Sequence, residues 1–380
     1  MAKAKAPDWN KLIYTFAAAV LAALASAVTY WLMPEKERKV EVEKIVFRDA
    51  AGIDYAETFG WERDPAVIAQ NLDPERTLQF AQTPAGKAAQ GDGDVFLWRA
   101  VRKAAGKAND WYPNIDQGSV GSCVGAGFKH GSDVAQATAM LAGAAFDWKP
   151  VSAEVIYGGS RVEVGGGRIS GDGSVGAWAA KWVKEHGLVP MEKFDGGIDL
   201  TQYSPARARQ YGRSGVPDGL EPEARNHLVK GVALVRSATD VKRAILQGYP
   251  VPICSDQGFT MERDADGAAR PRGTWMHCMC VLGYRADKNM FFVLNSWGDR
   301  AHTGPVWPED MPRAGFWCDW DTMDRIARQG DSFALADVQG FPARNPPLDW
   351  FIRAEPAPRP LDNLRLARKP APAADRSLAW

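Results

Sequence analysis

The stretch DQGSVGSCVGAGFKHGSDV, residues 116–134, constrains this chain more than any other. Glycines at 118, 121 and 125 allow a tightly turning loop, and the residues from Cys123 onward read as the first turns of a helix. A structural cysteine is a small core hydrophobe and needs no such staging. A nucleophilic cysteine needs a lowered pKa and an accessible sulfur, and a helix N-terminus serves both.

The 380 residues suffice for one large domain or two modest ones. Lys+Arg and Asp+Glu number 46 each, so the formal charge is zero and nothing in it supports nucleic-acid binding. There are five cysteines, Cys123, Cys254, Cys278, Cys280 and Cys318. An odd number with no framework spacing leaves at least one thiol free, unless it pairs between chains. His277, Cys278 and Cys280 are metal-ligand types, but the run WMHCMCVLGY reads as a strand. On a strand the two cysteines share one face and His277 takes the other, so no metal or other cofactor is expected.

The N-terminal part is organised differently. Residues 1–11 form a short basic tail, and residues 12–33, LIYTFAAAVLAALASAVTYWLM, carry no charge. That run is long enough to span a bilayer and ends near Tyr30 and Trp31, so a single-pass membrane helix is expected. Ala25-Ser26-Ala27 keeps open a cleaved signal and secretion, and a buried helix is the third reading. Basic residues flank both ends, which leaves the topology open. Residues 34–93 read as a charged stalk and linker ending in PAGKAAQGDGD. Residues 94–340 have globular texture, and 341–380 form a proline-rich tail expected to be extended or disordered.

Within 94–340 the helical patterns come first: the run after Cys123, SVGAWAAKWVKEHG at 174–187, and SATDVKRAILQG at 237–248. Strand-like alternation follows in VPICS, MHCMCVLGY and MFFVLNSWG. This order predicts an α+β fold with two subdomains. GGGRISGDGS at 165–174 lacks the Gly-Lys-Ser/Thr ending of a phosphate loop and reads as a loop near a cleft.

Three segments carry chemistry. They are the cysteine segment, TWMHCMCVLGY with His277 on a predicted strand, and FFVLNSWGDR with Asn295 ending another. Together they resemble the papain family of cysteine peptidases. DQGSVGSC is similar to the family's stretch from a glutamine to the nucleophile six residues on, HCMCVLGY to its histidine strand, and NSWG to its asparagine motif. Weaker similarity in GDGSVGAWAAKWVKEHG and AGFWCDW extends the resemblance over roughly 94–340.

The resemblance implies a papain-like fold, with a helical subdomain carrying Cys123, a β-rich subdomain carrying His277 and Asn295, and the cleft between them. Cys123 would be the nucleophile, and His277 the base and later the acid that protonates the leaving amine. Asn295 would orient the imidazole, and Gln117 would donate its amide N–H to the oxyanion beside the backbone N–H of Cys123. Trp297 would shield the His–Asn contact, and Gly173 would offer bare backbone to an extended substrate. The implied reaction is peptide-bond hydrolysis on peptide or protein substrates.

Departures point to a divergent bacterial or viral member. Val120 stands where the family has a disulfide cysteine, and Val124 where an aromatic is usual. No long helical proregion stands out in 34–93, so activation from a zymogen is not expected. Two rival functions stay in view: an amidase or transpeptidase acting on cell-wall peptides through the same triad, and a catalytically silent, membrane-anchored binding protein. His130, His186, His227 and His302 have no motif around them and are assigned surface or core roles.

Overall fold

The computed structural model describes residues 58–88, 92–108 and 111–344. Its main helices run α1 (Pro65–Leu72), α2 (Trp98–Ala104), α3 (Cys123–Leu141), α4 (Ala153–Gly159), α5 (Gly176–Glu185) and α6 (Pro205–Ser214), with α7 (Ala238–Leu246) and α8 (Trp320–Ala327) further on. The strands that position the site are β1 (Val95–Phe96), β2 (Gly231–Leu234), β3 (Val251–Phe259), β4 (Pro271–Arg285), β5 (Met290–Leu294), β6 (Gly315–Asp319) and β7 (Phe333–Ala336). The expected α+β content is therefore observed, with α3–α6 in the first part and most strands in the second.

Local chemistry sets most helix starts. Asp64 caps α1 by accepting from Ala66 N and Val67 N, with Pro65 at its first position. Ser152, Ser204 and Ser237 cap α4, α6 and α7 in the same way. Two helices differ. α5 has no cap of its own, and its first amides, Gly176 N and Ala177 N, donate instead to the Asp331 carboxylate at 2.8 Å each. Ser122, before α3, makes no side-chain cap, which leaves the opening amides of that helix facing the Cys123 sulfur.

α3 is buried along nearly its whole length, as expected of a helix clad on every side. It packs against α4 at Gly125 and against β4 at Gly127. A Cβ on Gly125 would lie 2.5 Å from the Ala153 carbonyl oxygen, and one on Gly127 would lie 2.7 Å from Cys278 Sγ. These bare positions bring the helix that starts at Cys123 onto the strand that carries His277.

β4 is the central strand. It pairs antiparallel with β3 and β1 along one edge and with β5 along the other, and β5 continues to β6. His277 sits opposite Ser255 of β3. Cys278, Met279 and Cys280 are all buried, because β4 is covered on both faces. β2 and β7 form a separate antiparallel pair.

The linker expectation for 34–93 needs correction over its described part. Residues 58–88 pack against the domain, with Trp61, Phe80 and Ala85 buried. PAGK, read as a turn-rich linker, is a short helix capped by Thr83, whose Oγ1 accepts from Gly86 N at 3.0 Å. At the other end Phe341 is buried against Phe80 and Tyr249, so the body continues past residue 340. The expected membrane helix at 12–33, the basic tail, the first part of the stalk and residues 345–380 lie outside the described residues. Among the described residues no helix is long and apolar enough to cross a membrane.

Gly125→Ala should lower stability by about 1–3 kcal/mol, because the added methyl has backbone rather than a movable side chain in its way. Urea unfolding of the two proteins checks this.

Candidate active site

A short backbone seam assembles the site. Gln117 N donates to Ser296 O at 2.9 Å, Gly298 N donates to Ile115 O at 3.2 Å, and Asp116 bridges Trp297 antiparallel. Ser296 Oγ adds a hydrogen bond to Gln117 Oε1 at 2.5 Å. The loop leading to Cys123 is thereby fastened to the segment that follows Asn295. His277 reaches the same place from β4, with Nε2 2.8 Å from Asn295 Oδ1. The Trp297 ring lies over it, centroids 4.6 Å apart.

The hydrogen bonds fix the protons. Ser296 N, which can only donate, is 2.7 Å from Asn295 Oδ1, so that atom is an acceptor. His277 Nε2 must then carry a hydrogen and donate to it, which leaves Nδ1 with the lone pair. Among the described residues Nδ1 has no hydrogen-bond partner. The main chain of Cys278, the residue after His277, lies near the Cys123 sulfur together with those of Gly60 and Val124, and all three act to lower the thiol pKa.

Cys123 and His277 are both 0% exposed. Burial, and then the neighbouring Cys278, push the Cys123 thiol well up, against the pull of those three backbone amides. Burial pushes His277 down to about 4, although its bond to Asn295 opposes the shift. In this form the pair is a neutral thiol and a neutral imidazole.

Residues 58–62, which fall in the stretch read as stalk and linker, pack over them. Gly60 N and Trp61 N donate to Met276 O at 3.0 and 2.9 Å. Ser174 N donates to Gly60 O at 2.8 Å, Glu62 N donates to Ser174 O at 2.9 Å, and Trp61 and Ser174 form a parallel bridge. Phe59 lies among Trp275, His277 and Trp297, with centroids 6.0–6.3 Å away. Trp61 enters a buried recess, where Nε1 donates to Asp331 Oδ2 at 2.8 Å. Asn71 Nδ2 also donates to Asp331, at 3.3 Å. Burial nevertheless pushes this carboxyl up to about 7.

Two expected site residues are engaged differently from the sequence reading. Gln117 has both amide hydrogens committed, to Thr58 O at 2.7 Å and Val120 O at 2.8 Å. Gly173 spends its backbone inside the domain, with N donating to the Tyr157 hydroxyl at 2.9 Å and O accepting from Arg161 Nη1 at 2.7 Å. The main-chain contacts to an extended segment fall one residue on, at Ser174. Gly173 contributes by what it lacks, because a Cβ there would sit 3.0 Å from Glu62 Cγ. The sequence reading missed Ser174, Asp331 and the covering segment. Phe59-Gly60-Trp61, two aromatics alternating about a glycine, was the available signal for a strand-like stretch. His302, assigned no site role, has Nε2 3.1 Å from Asn295 Nδ2. The five cysteines are free and buried, and among the described residues no group of three or more His, Cys, Asp or Glu could hold a metal ion.

No family model and no curated protein matches the chain. Among solved structures it is similar to xylellain, a cysteine protease from Xylella fastidiosa, with 15% identity over 78% of this chain and 100% of that one, at a TM-score of 0.48. It is similar to digestive procathepsin L 3 of Tenebrio molitor, with 14% identity over 88% and 94% at 0.43. A third likeness is to procathepsin B S9 of Trypanosoma congolense, with 12% identity over 78% and 90% at 0.45. These likenesses are distant, and the functional reading rests on the geometry of the site itself.

Gly60→Ala should uncover the site, because a Cβ at Gly60 would lie 1.9 Å from the Gly121 carbonyl oxygen and the segment must lift. Alkylation of Cys123 should then be at least about tenfold faster than in the parent, equivalent to about 1.4 kcal/mol of lost protection. The ultraviolet absorbance of thiolate should appear at lower pH in the variant, since exposing the thiol to water lowers its pKa. Adduct mapping and a spectroscopic pH titration measure both.

Proposed function

We propose that this chain is a cysteine peptidase of papain-like fold, acting on peptide or protein substrates through Cys123, His277 and Asn295. The observation that carries this reading is the His277–Asn295 bond, whose donor and acceptor are fixed by Ser296 N. It leaves an unprotonated Nδ1 on a strand whose next residue lies near the sulfur at the start of α3. Core packing requires no such arrangement of polar groups.

The chemistry is set by these positions. Once water and substrate enter, His277 Nδ1 takes the thiol proton, and the thiolate is favoured by the α3 amides and by the imidazolium so formed. The sulfur attacks the scissile carbonyl, and Gln117 Nε2 and the Cys123 backbone N–H donate to the developing oxyanion. His277 returns the proton to the leaving amine, the C–N bond breaks, and an acyl-enzyme remains on Cys123. Water, deprotonated by His277, releases the acid and restores the thiol. Asn295 keeps the ring aimed throughout.

In the covered form the Thr58 carbonyl holds the Gln117 donor and Gly60 occupies the space over the sulfur, so turnover requires residues 58–62 to leave the groove. The uncharged run at 12–33 would tether such an enzyme to a bilayer and confine it to substrates nearby.

A peptidyl epoxide, offered to the full-length parent and to Gly60→Ala, should label Cys123, and more readily in the variant. Peptide hydrolysis by Gly60→Ala should vanish when Cys123→Ala or His277→Ala is added, and adding Gln117→Ala should lower kcat by about 10²–10³-fold. Equal labelling of other cysteines, or hydrolysis that survives Cys123→Ala, would sink the peptidase reading.

A further inference from the structure

Behind Asn295, on the side away from His277, lies a second buried imidazole. Asn295 has both ends of its amide committed. Oδ1 accepts from Ser296 N at 2.7 Å and from His277 Nε2 at 2.8 Å, while Nδ2 is 3.1 Å from His302 Nε2. Because Ser296 N can only donate, the amide cannot be turned over without setting N–H against N–H. Nδ2 is therefore the donor toward His302, and His302 Nε2 must be an unprotonated acceptor. We propose that His302 is a positioning residue of the peptidase site, holding the Asn295 amide from behind so that Oδ1 stays aimed at His277. The role rests on the peptidase reading, since it acts through the base assigned there.

The surroundings make His302 a fixed acceptor. Its ring packs at 4.8 Å from Phe316 and 6.4 Å from Trp275, and Trp275 in turn lies 4.7 Å from Trp297. The loop that carries it is clamped by one buried guanidinium. Arg263 Nη2 donates to the carbonyls of His302 at 3.2 Å and Gly304 at 3.1 Å, and Nη1 donates to those of Arg313 and Gly315 at 2.8 Å each. Arg263 N and Thr303 O, and Thr303 N and Met261 O, add two backbone bonds of 3.0 Å. The same cation discourages a second positive charge. Burial first, then Arg263, push His302 down to about 3, and His277 acts in the same direction, while the nearby Met261 main chain opposes them. A protonated ring would point N–H at N–H, and the support of Asn295 would be lost.

The assignment predicts tautomers, which can be measured without turnover. With only five histidines in the chain, long-range proton–nitrogen correlation on the full-length protein labelled at histidine nitrogen can resolve each ring. Near neutral pH, His277 should appear as the Nε2–H tautomer and His302 as the Nδ1–H tautomer. His302→Phe keeps ring bulk but removes the acceptor, and it should speed solvent exchange of the His277 Nε2 proton at least about tenfold, which is about 1.4 kcal/mol of lost protection. In the Gly60→Ala background it should lower kcat by roughly 10- to 100-fold through misaimed geometry, with KM unchanged. His302→Gln, which restores an acceptor, should recover most of both.

An Nε2–H or protonated His302 in the parent would overturn the proposal, and so would a folded His302→Phe with His277 exchange and kcat unchanged. If His302→Phe does not fold, the parent's tautomers still decide. A chain that holds these tautomers yet neither labels at Cys123 nor cleaves peptides would end the peptidase reading and leave the His302–Asn295–His277 chain standing.

Discussion

The seam between residues 115–117 and 296–298 is the contact on which the rest of the site depends. It is a few hydrogen bonds long, yet Gln117 and Ser296, which it joins, stand 179 positions apart in the chain. One side of it leads into the glycine loop and α3, and the other side follows directly from β5 of the sheet. Without the seam Cys123 would be placed by α3 packing alone, and Asn295 by the end of β5 alone. With it, Gln117, Ser296 and Asn295 share one hydrogen-bonded unit, and the proton positions on His277 follow from a single backbone N–H. The close approach of α3 to β4 at Gly127 supplies the second fixed distance between the halves.

The site is held in a form that suppresses its own charge separation. A thiolate–imidazolium pair needs solvent or preorganised dipoles to stabilise it, and complete burial removes the first of these. The backbone amides of Gly60, Val124 and Cys278 at the sulfur are the second, but they do not offset the burial. The segment that excludes water is anchored at two separate points. Met276 and Ser174 hold its backbone, and the Asp331 recess holds the Trp61 indole. Asp331 also caps the start of α5, so the covering segment and a helix end of the domain converge on one carboxylate. The domain thus uses one buried acceptor both for its own architecture and for gripping the cover.

Much of this was legible in the residues. The helix beginning at Cys123, the strand through His277 and the strand ending before Asn295 each follow from local periodicity and turn chemistry, and each forms within a few residues of its expected bounds. Ser237 before α7 shows why, since a cap residue followed by an amphipathic run specifies a helix without distant help. The linker reading of residues 58–88 failed for a different reason. Pro, Gly and Ala in PAGK are turn formers by composition, but Thr83 supplies the missing acceptor and turns them into a capped helical turn. Gly173 was placed one residue from the pairing backbone, because which of two adjacent amides faces a groove depends on what else claims them. Tyr157 and Arg161 claim those of Gly173.

The sequence by itself determined the chemical types and their order along the chain: a cysteine at a loop–helix junction, a histidine on a strand and an asparagine ending the next. These are short-range properties, set by propensity, capping and a period of two or 3.6. Only the tertiary structure decided which donors meet which acceptors. It set Thr58 O against Gln117 and Trp61 against Asp331, and it placed His302 behind Asn295. The physical reason is that a buried polar group must find a partner wherever packing brings one within about 3 Å, and sequence spacing carries no record of that proximity.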